Sequence, residues 1–181
     1  MAQQILKGKT IVLDLDLTIV HTTLDCECGN HVELEHAAMI PGHVGPEITI
    51  PPKSAKSCVH VRPHAFEFIS RCYDAGCQFV IFSANGLFYI RQVVDILFKD
   101  VEGPIEILTD RELVHDPNSD YYVKMLSTVV NRTGIPVEQL VAIDDNIYMY
   151  PNDENVIRIS PWYNNVLLED DCELKKLYLG L

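Results

Sequence analysis

Two aspartates follow the first apolar segment of the sequence, in Asp14-Leu-Asp16-Leu-Thr18 directly after Ile11-Val-Leu13. Carboxylates that end a buried strand are costly to desolvate unless a metal ion or another cation lies beside them. Paired acids are also common at solvated strand ends and in turns stabilised by Asx side chains, so the pair by itself leaves both interpretations open. Its position after a buried strand favours a site for a cation.

Further polar side chains lie at or near the ends of other predicted strands. Ser83 ends an apolar strand ahead of a predicted helix, where a hydroxyl and backbone N–H groups can bind phosphate, with a plain helix N-cap as the alternative. Asp144 and Asp145, followed by Asn146, end another apolar strand, and adjacent buried carboxylates repel each other unless a cation lies beside them. Lys124 lies early in a predicted helix, where a solvated surface position is the ordinary interpretation.

The elements that must position these residues alternate between strand and helix along the chain. Apolar runs predict strands over residues 10–15, 77–83, 104–109, 140–143 and 156–159. Apolar stripes at helical spacing predict helices over residues 63–75, 86–98, 120–133 and 168–179. This alternation predicts an α/β fold, with a Rossmann-like, mainly parallel sheet flanked by helices.

Ligands in such sheets bind at the carboxyl ends of the strands, which is where the acids and the serine lie. Carboxylates, one hydroxyl and one amine are therefore expected to meet at one sheet edge, a combination that suits a divalent metal ion and a phosphate group. Because hard oxygen ligands dominate the set, it favours magnesium. The ordered set is more specific than any single motif in it.

Residues 22–60 show little of the helical periodicity found elsewhere in the chain, and they predict a small β-rich insert after the first strand. Two short alternating pieces there, residues 47–50 and 58–61, are candidate strands of an antiparallel sheet. Cys26-Glu-Cys28, with His31, His36 and Cys58 nearby, raises the alternative of a structural zinc ion. C-x-C is not the usual C-x-x-C spacing, so thiols packed in the core of the insert are the simpler interpretation.

The composition is that of one globular domain in a reducing compartment. The 181 residues include 26 acidic and 14 basic side chains, for a formal net charge of −12. This excess of acid argues against direct binding to a nucleic-acid backbone or to an anionic membrane surface. No apolar run approaches the roughly 20 residues that span a bilayer, and no signal peptide is recognisable. With six cysteines expected to be free thiols, these features predict an intracellular protein, neither secreted nor membrane-anchored.

The ordered motifs resemble the haloacid dehalogenase superfamily of phosphotransferases. More closely, the chain is similar to the small phosphatases that act on the carboxy-terminal domain of RNA polymerase II, also called the NLI-interacting-factor-like family. The similarity covers most of the chain outside residues 22–60. Leu17 and Asn85 depart from the family's pattern without removing a catalytic side chain. The further supporting stretches are Val61-Arg-Pro-His64, Phe82-Ser-Ala-Asn85, Tyr122-Val-Lys124 and Trp162-Tyr163.

The resemblance implies a chemical role for each residue of the set. Asp14 is the expected nucleophile, which forms an aspartyl-phosphate. Asp16 is the expected acid that protonates the leaving alkoxide and then activates the water that hydrolyses this intermediate. Ser83 and Lys124 are expected to bind the phosphoryl oxygens.

The resemblance also implies a magnesium ion. Its expected ligands are the carboxylates of Asp14 and Asp145 and the backbone carbonyl of Asp16. Asp144 and Asn146 are the alternatives to Asp145, because some relatives have one Asp followed by Asn here, which moves the assignment by one position. Thr18, Asn85 and Arg111 are expected to contact substrate, although a surface salt bridge is an equally ordinary role for Arg111.

The implied activity is that of a magnesium-dependent protein serine/threonine phosphatase, a phosphoric monoester hydrolase. Its expected partner is a phosphorylated protein or peptide, such as phosphoserine in the RNA polymerase II carboxy-terminal tail. The alternatives are a small-molecule phosphatase of the same superfamily and a binding or scaffold protein without turnover. The lack of a large cap domain favours a macromolecular substrate. We expect residues 1–181 to form a single catalytic domain located in the nucleus or cytoplasm, and the sequence predicts no particular oligomeric state.

Overall fold

The computed structural model describes residues 6–23, 32–34, 57–119, 121–151, 155–163 and 171–179. The strands within these ranges are β1 (Thr10–Leu13), β2 (Val20–Thr23), β3 (Val32–Leu34), β4 (Ser57–Val61), β5 (Gln78–Phe82), β6 (Glu106–Leu108), β7 (Val114–Asp116), β8 (Tyr121–Val123), β9 (Leu140–Asp144) and β10 (Val156–Arg158). The α-helices are α1 (Ala65–Asp74), α2 (Leu87–Leu97), α3 (Leu126–Thr133) and α4 (Glu173–Tyr178). Short 3-10 turns cover Asp110–Glu112, Val137–Gln139 and Ile147–Met149.

A parallel five-stranded sheet in the order β10-β9-β1-β5-β6 forms the centre of the fold. β1 lies in the middle, where Leu13 is opposite Ile81 of β5 on one side and Ile143 of β9 on the other. β1 and β9 are buried along their whole length, as expected of parallel strands that helices cover on both faces. The predicted α/β fold with a mainly parallel sheet is confirmed.

Alternation of side chains along β1 divides the core into two layers. Ile11 and Leu13 point to one face, where they belong to a cluster that includes Phe68 of α1 and residues of α2 and α4. Val12 points to the other face and belongs to a second cluster with Leu126 of α3. Because both faces of β1 are packed in this way, the position of the loop that follows it is fixed by the core.

A small antiparallel sheet in the order β2-β4-β3 follows β1 in the chain. Its strands confirm the predicted β-rich insert, and β4 includes the candidate strand at 58–61. A second candidate strand, at 47–50, lies outside the described residues. So do four of the candidate zinc ligands, namely Cys26, Cys28, His31 and His36.

Cys58 is disulfide-bonded, so the prediction of a free thiol is wrong at this residue. The composition of the chain and the spacing of its cysteines do not give the distance between sulfur atoms, which is what allows a disulfide to form. A disulfide sulfur is also not a thiolate, so Cys58 in this state does not serve as a zinc ligand. Cys72, Cys77 and Cys172 are free, as predicted.

A β-hairpin replaces the first part of the helix predicted over residues 120–133. β7 and β8 pair in antiparallel register with Asp116 opposite Tyr121, and α3 begins only after them. The Asp116 carboxylate accepts a hydrogen bond of 2.7 Å from the Ser119 hydroxyl, which stabilises the turn between the strands. Two tyrosines and a valine in β8 also favour a strand. Lys124 therefore lies between a strand and a helix, and the prediction that it lies on a helix is wrong.

The remaining predicted elements of the sheet and its helices are present, mostly with bounds shorter by one to three residues, as is usual at element ends. α4 begins at Glu173, whereas a helix was predicted from residue 168, and residues 168–170 lie outside the described ranges. Among the helices described, none has the length and apolar character needed to cross a membrane.

Candidate active site

The carboxyl end of β1 leads into a tight loop that carries Asp14 and Asp16. The Asp14 N–H donates to the Ile143 carbonyl at 3.1 Å, which extends the pairing of β1 with β9 to the first acid. Leu17 has a positive φ of 62°, a left-handed conformation that is uncommon for a residue with a Cβ atom. Its N–H donates to the Val20 carbonyl at 2.7 Å, which closes the turn. Asp14 and Asp16, on either side of Leu15 in this loop, bond to different partners.

Lys124 lies between two carboxylates. Its Nζ atom is 2.6 Å from Asp14 Oδ1 and 2.6 Å from Asp144 Oδ2, and the lysine is only 2% exposed. Burial by itself would lower the pKa of Lys124, but the negative charges of Asp14 and Asp144 together raise it above its ordinary value. The backbone N–H of Lys124 donates to the Met149 carbonyl at 2.6 Å, which fixes the position of the residue. The amine is therefore a positive charge held at a fixed place between the two acids.

Asp14, Asp144 and Asp145 form a cluster in which one carboxylate oxygen of each lies within 4.8 Å of the others. Burial and the charge of Asp14 raise the pKa of Asp144 to about 7, against the opposite effect of Lys124. The same two causes raise the pKa of Asp145. Three acids this close are stable as anions only beside cations, and Lys124 supplies one positive charge. The oxygen donors and their spacing fit a hard divalent ion such as Mg²⁺.

The side chain of Thr18 is fully buried and forms two hydrogen bonds with Asp145. Its hydroxyl donates to Asp145 Oδ1 at 3.0 Å and accepts from the Asp145 N–H at 2.9 Å. Both the side chain and the backbone of Asp145 are thereby held by one hydroxyl group. In this structure the hydroxyl of Thr18, a predicted substrate contact, is engaged with Asp145.

Asp16 is held by two side chains from the segment that follows β5. The Tyr89 hydroxyl donates to Asp16 Oδ1 at 2.5 Å, and Asn85 Nδ2 donates to Asp16 Oδ2 at 2.7 Å. Burial raises the pKa of Asp16 above its ordinary value, in spite of the hydrogen bond from Tyr89, which lowers it. A raised pKa keeps more of the carboxyl group protonated, as a general acid requires. Asn85, a predicted substrate contact, donates to this acid in the structure.

The model of one protein family, the NLI interacting factor-like phosphatases, matches residues 9–181. The chain belongs to this family. It is therefore a member of a family of phosphatases, and the resemblance drawn from its motifs is confirmed. A search of curated protein sequences found no match.

Two solved structures share the fold of this NLI interacting factor-like phosphatase chain. One is Fcp1, an essential RNA polymerase II CTD phosphatase, at 19% identity and a TM-score of 0.61, covering 98% of this chain and 51% of that one. The other is a variant of the fission yeast RNA polymerase II CTD phosphatase Fcp1 bound to beryllium fluoride, at 19% identity and a TM-score of 0.57, covering 87% of this chain and 42% of that one. The chain thus spans about half the length of these two structures.

Ser83 and Arg111 are two further residues of the predicted site in this family member. Ser83 directly follows β5, is 1% exposed, and its hydroxyl accepts a hydrogen bond of 3.3 Å from the Asn85 N–H. Arg111 lies in the 3-10 turn after β6 and is exposed. Within the described ranges its guanidinium makes no ion pair.

Two residues in contact with the predicted set were not predicted as site residues. Tyr89 lies within the helix predicted over residues 86–98, and its hydroxyl bonds to an acid 73 residues earlier in the chain. Arg62 is buried and donates to the Thr18 carbonyl at 2.9 Å. Neither contact leaves a local sequence signal, because both depend on elements that meet only in the folded chain.

Proposed function

We propose that this chain is a magnesium-dependent protein phosphatase that hydrolyses phosphoserine or phosphothreonine through a covalent intermediate on Asp14. The observation that carries the proposal is the pair of 2.6 Å contacts that Lys124 makes with Asp14 and Asp144, beside a separately held Asp16. A nucleophile, a cation and a general acid are thereby present within one loop and its neighbours. Membership in a phosphatase family supports the same reaction.

Asp14 is proposed as the nucleophile, whose carboxylate oxygen attacks phosphorus as the phosphorus–oxygen bond to the leaving group breaks. Lys124 orients this carboxylate through its contact with Oδ1. The same amine, with the hydroxyl or backbone N–H groups near Ser83, is proposed to bind phosphoryl oxygens, where charge is spread in the transition state. These groups are buried and already in place before substrate arrives, so little reorganisation is needed.

Asp16 is proposed to give its proton to the serine or threonine oxygen that leaves. The same carboxylate then takes a proton from the water that attacks the aspartyl-phosphate, so the proton balance closes over one turnover. Its raised pKa supports the first role, and the hydrogen bonds from Tyr89 and Asn85 support its orientation.

The carboxylates of Asp14 and Asp145, with the backbone carbonyl of Asp16, are proposed to hold Mg²⁺, and Asp144 or Asn146 is the alternative to Asp145. Asp144 already accepts hydrogen bonds from Lys124 at 2.6 Å and from the Asn146 N–H at 2.8 Å, which favours a supporting role for it. When bound, Mg²⁺ would supply positive charge that offsets the negative charge of the phosphoryl group and of the acids.

A phosphorylated protein segment is the proposed substrate. Tyr148 follows the acids at the end of β9 in a 3-10 turn and is 81% exposed. With the exposed guanidinium of Arg111, it offers aromatic and cationic contacts to a chain that lies across the site. The two structural neighbours are phosphatases of the RNA polymerase II CTD, and a phosphoserine peptide of this kind is the first candidate to test.

The test is phosphate release from an aryl phosphate at mildly acidic pH, with and without Mg²⁺, for the native chain and Asp14→Asn. We expect release that needs both Mg²⁺ and Asp14, because a carboxamide is nearly isosteric with the carboxylate but is a poor nucleophile. Asp100→Asn is the matched control, since it makes the same change at a side chain that is 81% exposed, and we expect it to keep full activity.

Substantial turnover by Asp14→Asn would exclude the covalent mechanism. A folded native chain that releases no phosphate from aryl phosphates or phosphopeptides would favour a binding protein instead. A panel of phosphopeptides and small phosphate esters then separates the two enzymatic alternatives, and we expect higher kcat/KM for the peptides.

A further inference from the structure

Arg62 is among the largest fully buried side chains of the described residues and lies between β4 and α1. Its Nε and Nη2 atoms are 3.0 Å and 2.8 Å from Asp171 Oδ2, and Nη1 donates to the Thr18 carbonyl at 2.9 Å. The Arg62 N–H also donates to the Ile19 carbonyl at 2.9 Å. A buried guanidinium is tolerated only where its donors are partnered, and here the partners come from opposite ends of the chain.

One end of this arrangement reaches the candidate metal site. Arg62 fixes the carbonyl of Thr18, and the hydroxyl of the same Thr18 holds Asp145 through bonds of 3.0 Å and 2.9 Å. The other end is anchored by Asp171, whose Oδ1 atom accepts from the Glu173 N–H at 3.0 Å at the start of α4. A continuous set of hydrogen bonds therefore runs from the start of α4 to a proposed metal ligand.

We infer that Arg62 and Asp171 are positioning residues for Asp145. The segment that begins at Asp171 thereby contributes to the affinity of the metal site. The inference rests on the proposed function only in taking Asp145 as a metal ligand. Asp171 orients Arg62, Arg62 fixes the Thr18 peptide, and Thr18 sets the direction of the Asp145 carboxylate. None of the three touches the reacting atoms.

The competing interpretation is that the buried ion pair only ties α4 to the core. α4 packs on α1, so an ion pair between the segments that precede the two helices would serve that purpose by itself. The hydrogen bond from Arg62 Nη1 to Thr18 is the contact that this interpretation leaves without a role. The two interpretations differ in one measurable quantity, which is the affinity for metal of variants that remain folded.

The test measures Mg²⁺ affinity without activity, from the rise in the thermal unfolding midpoint as Mg²⁺ is added to the complete chain. Partners that orient metal ligands typically contribute about 10–100-fold in metal affinity, and we expect Asp171→Asn to weaken Mg²⁺ binding by about 10-fold. Arg62→Lys is the second variant, because it keeps the positive charge but loses the planar group that reaches both partners. We expect it to weaken Mg²⁺ binding at least as much.

Two controls separate positioning from stability. Glu106→Gln makes the same acid-to-amide change in another arginine ion pair, that of Arg132, and should leave Mg²⁺ affinity unchanged. Val94→Ala is a core truncation in α2 that touches none of these hydrogen bonds, and it should lower the unfolding midpoint without changing Mg²⁺ affinity. Thr18→Val removes the hydroxyl that bonds to Asp145. If the effect of Asp171 passes through Thr18, Asp171→Asn should weaken Mg²⁺ binding less in the Thr18→Val variant than in the native chain.

Native affinity for Mg²⁺ in folded Asp171→Asn and Arg62→Lys would overturn the inference, whatever their unfolding midpoints. A full additional loss when Asp171→Asn is combined with Thr18→Val would overturn the route through Thr18. If the native chain itself shows no saturable response to Mg²⁺, the metal site of the proposed function fails, and the inference fails with it. The native titration thus distinguishes the two failures.

Discussion

The hydroxyl of Tyr89 donates a hydrogen bond of 2.5 Å to Asp16. The same hydroxyl lies 2.8 Å from that of Thr22 in β2, so the proposed general acid is tied to the insert sheet as well as to α2. Burial, with the charge of Asp16 nearby, raises the pKa of Tyr89 above its ordinary value. Tyr89 therefore stays protonated and remains a donor wherever the protein is folded and Asp16 is ionised.

Tyr89→Phe should slow hydrolysis most for substrates with poor leaving groups. Without its hydrogen bond Asp16 is less well oriented, and proton transfer by a positioned acid contributes typically about 10²–10⁴-fold to such reactions. We expect about a 10-fold or greater loss of kcat on phosphoserine peptides and a smaller loss on aryl phosphates, whose leaving groups need little protonation. An equal loss on both substrates would contradict this role.

The same variant should also move the pH–rate profile. The hydrogen bond from Tyr89 lowers the pKa of Asp16, so its removal raises that pKa further. The alkaline limb, which reports loss of the acid's proton, is then expected at higher pH than in the native chain. Tyr121→Phe, a change at a side chain that is 73% exposed, is the control and should leave the profile in place.

Lys124→Met should impair both stability and turnover. The substitution leaves Asp14 and Asp144 buried without the cation that each now contacts at 2.6 Å. Removing one partner of a buried charged group costs about 3–5 kcal/mol in the free energy of unfolding, and loss of a preorganised charge costs about 10²–10³ in kcat. Urea unfolding and phosphate release measure the two effects. Lys99→Met is the control, at a side chain that is 59% exposed, and should change neither stability nor phosphate release. Native stability of Lys124→Met would show that the amine is not required between the two carboxylates.

His64→Gly should stabilise the protein although it removes a side chain. His64 precedes α1 with a positive φ of 65°, and its ring is 3.5 Å from the exposed carboxylate of Glu67. A residue with a Cβ atom is strained in this conformation by about 1–2 kcal/mol, and glycine is not. His64→Ala is the matched control because it keeps Cβ. We expect urea unfolding to rank the Gly variant above the Ala variant by about 1 kcal/mol, and the reverse order would rule out strain as the reason.

Tyr148→Ala should affect peptide substrates alone. The side chain is 81% exposed and follows the acids at the end of β9, so it can contact a bound chain without supporting the core. We expect KM for phosphopeptides to rise several-fold, as is usual for an aromatic contact, while kinetics on aryl phosphates stay unchanged. Tyr73→Ala on α1 is the control. A change with aryl phosphates as well would mean that Tyr148 supports the acids instead.

The convergence of the acids could be predicted from the sequence because it follows from the fold class. Short apolar runs that alternate with helices predict a parallel sheet, and Asp14 and Asp144 each come at or just beyond the end of such a run. Parallel neighbours in register then carry these acids to the same edge. This prediction required no knowledge of the distance between the two carboxylates.

The supporting contacts could not be predicted, because they join parts of the chain that only folding brings together. The sequence predicts a helix through Lys124, since the aromatic and apolar residues before it suit either element, but pairing with β7 makes Tyr121–Val123 a strand that ends just before Lys124. Asp16 meets Tyr89 across 73 residues, and Arg62 meets Asp171 across 109. The disulfide at Cys58 likewise depends on a distance between sulfur atoms that spacing does not give.

The central position of β1 has a consequence for synthesis on the ribosome. Asp14 is translated before its partner Lys124, which follows 110 residues later, and β9 follows later still. At roughly 5–20 residues per second, the proposed nucleophile is without its lysine for about 5–20 s. A nascent chain that ends before Lys124 contains the Asp14 carboxylate without its cation, so we expect phosphatase activity to arise only after Lys124 and β9 have been translated.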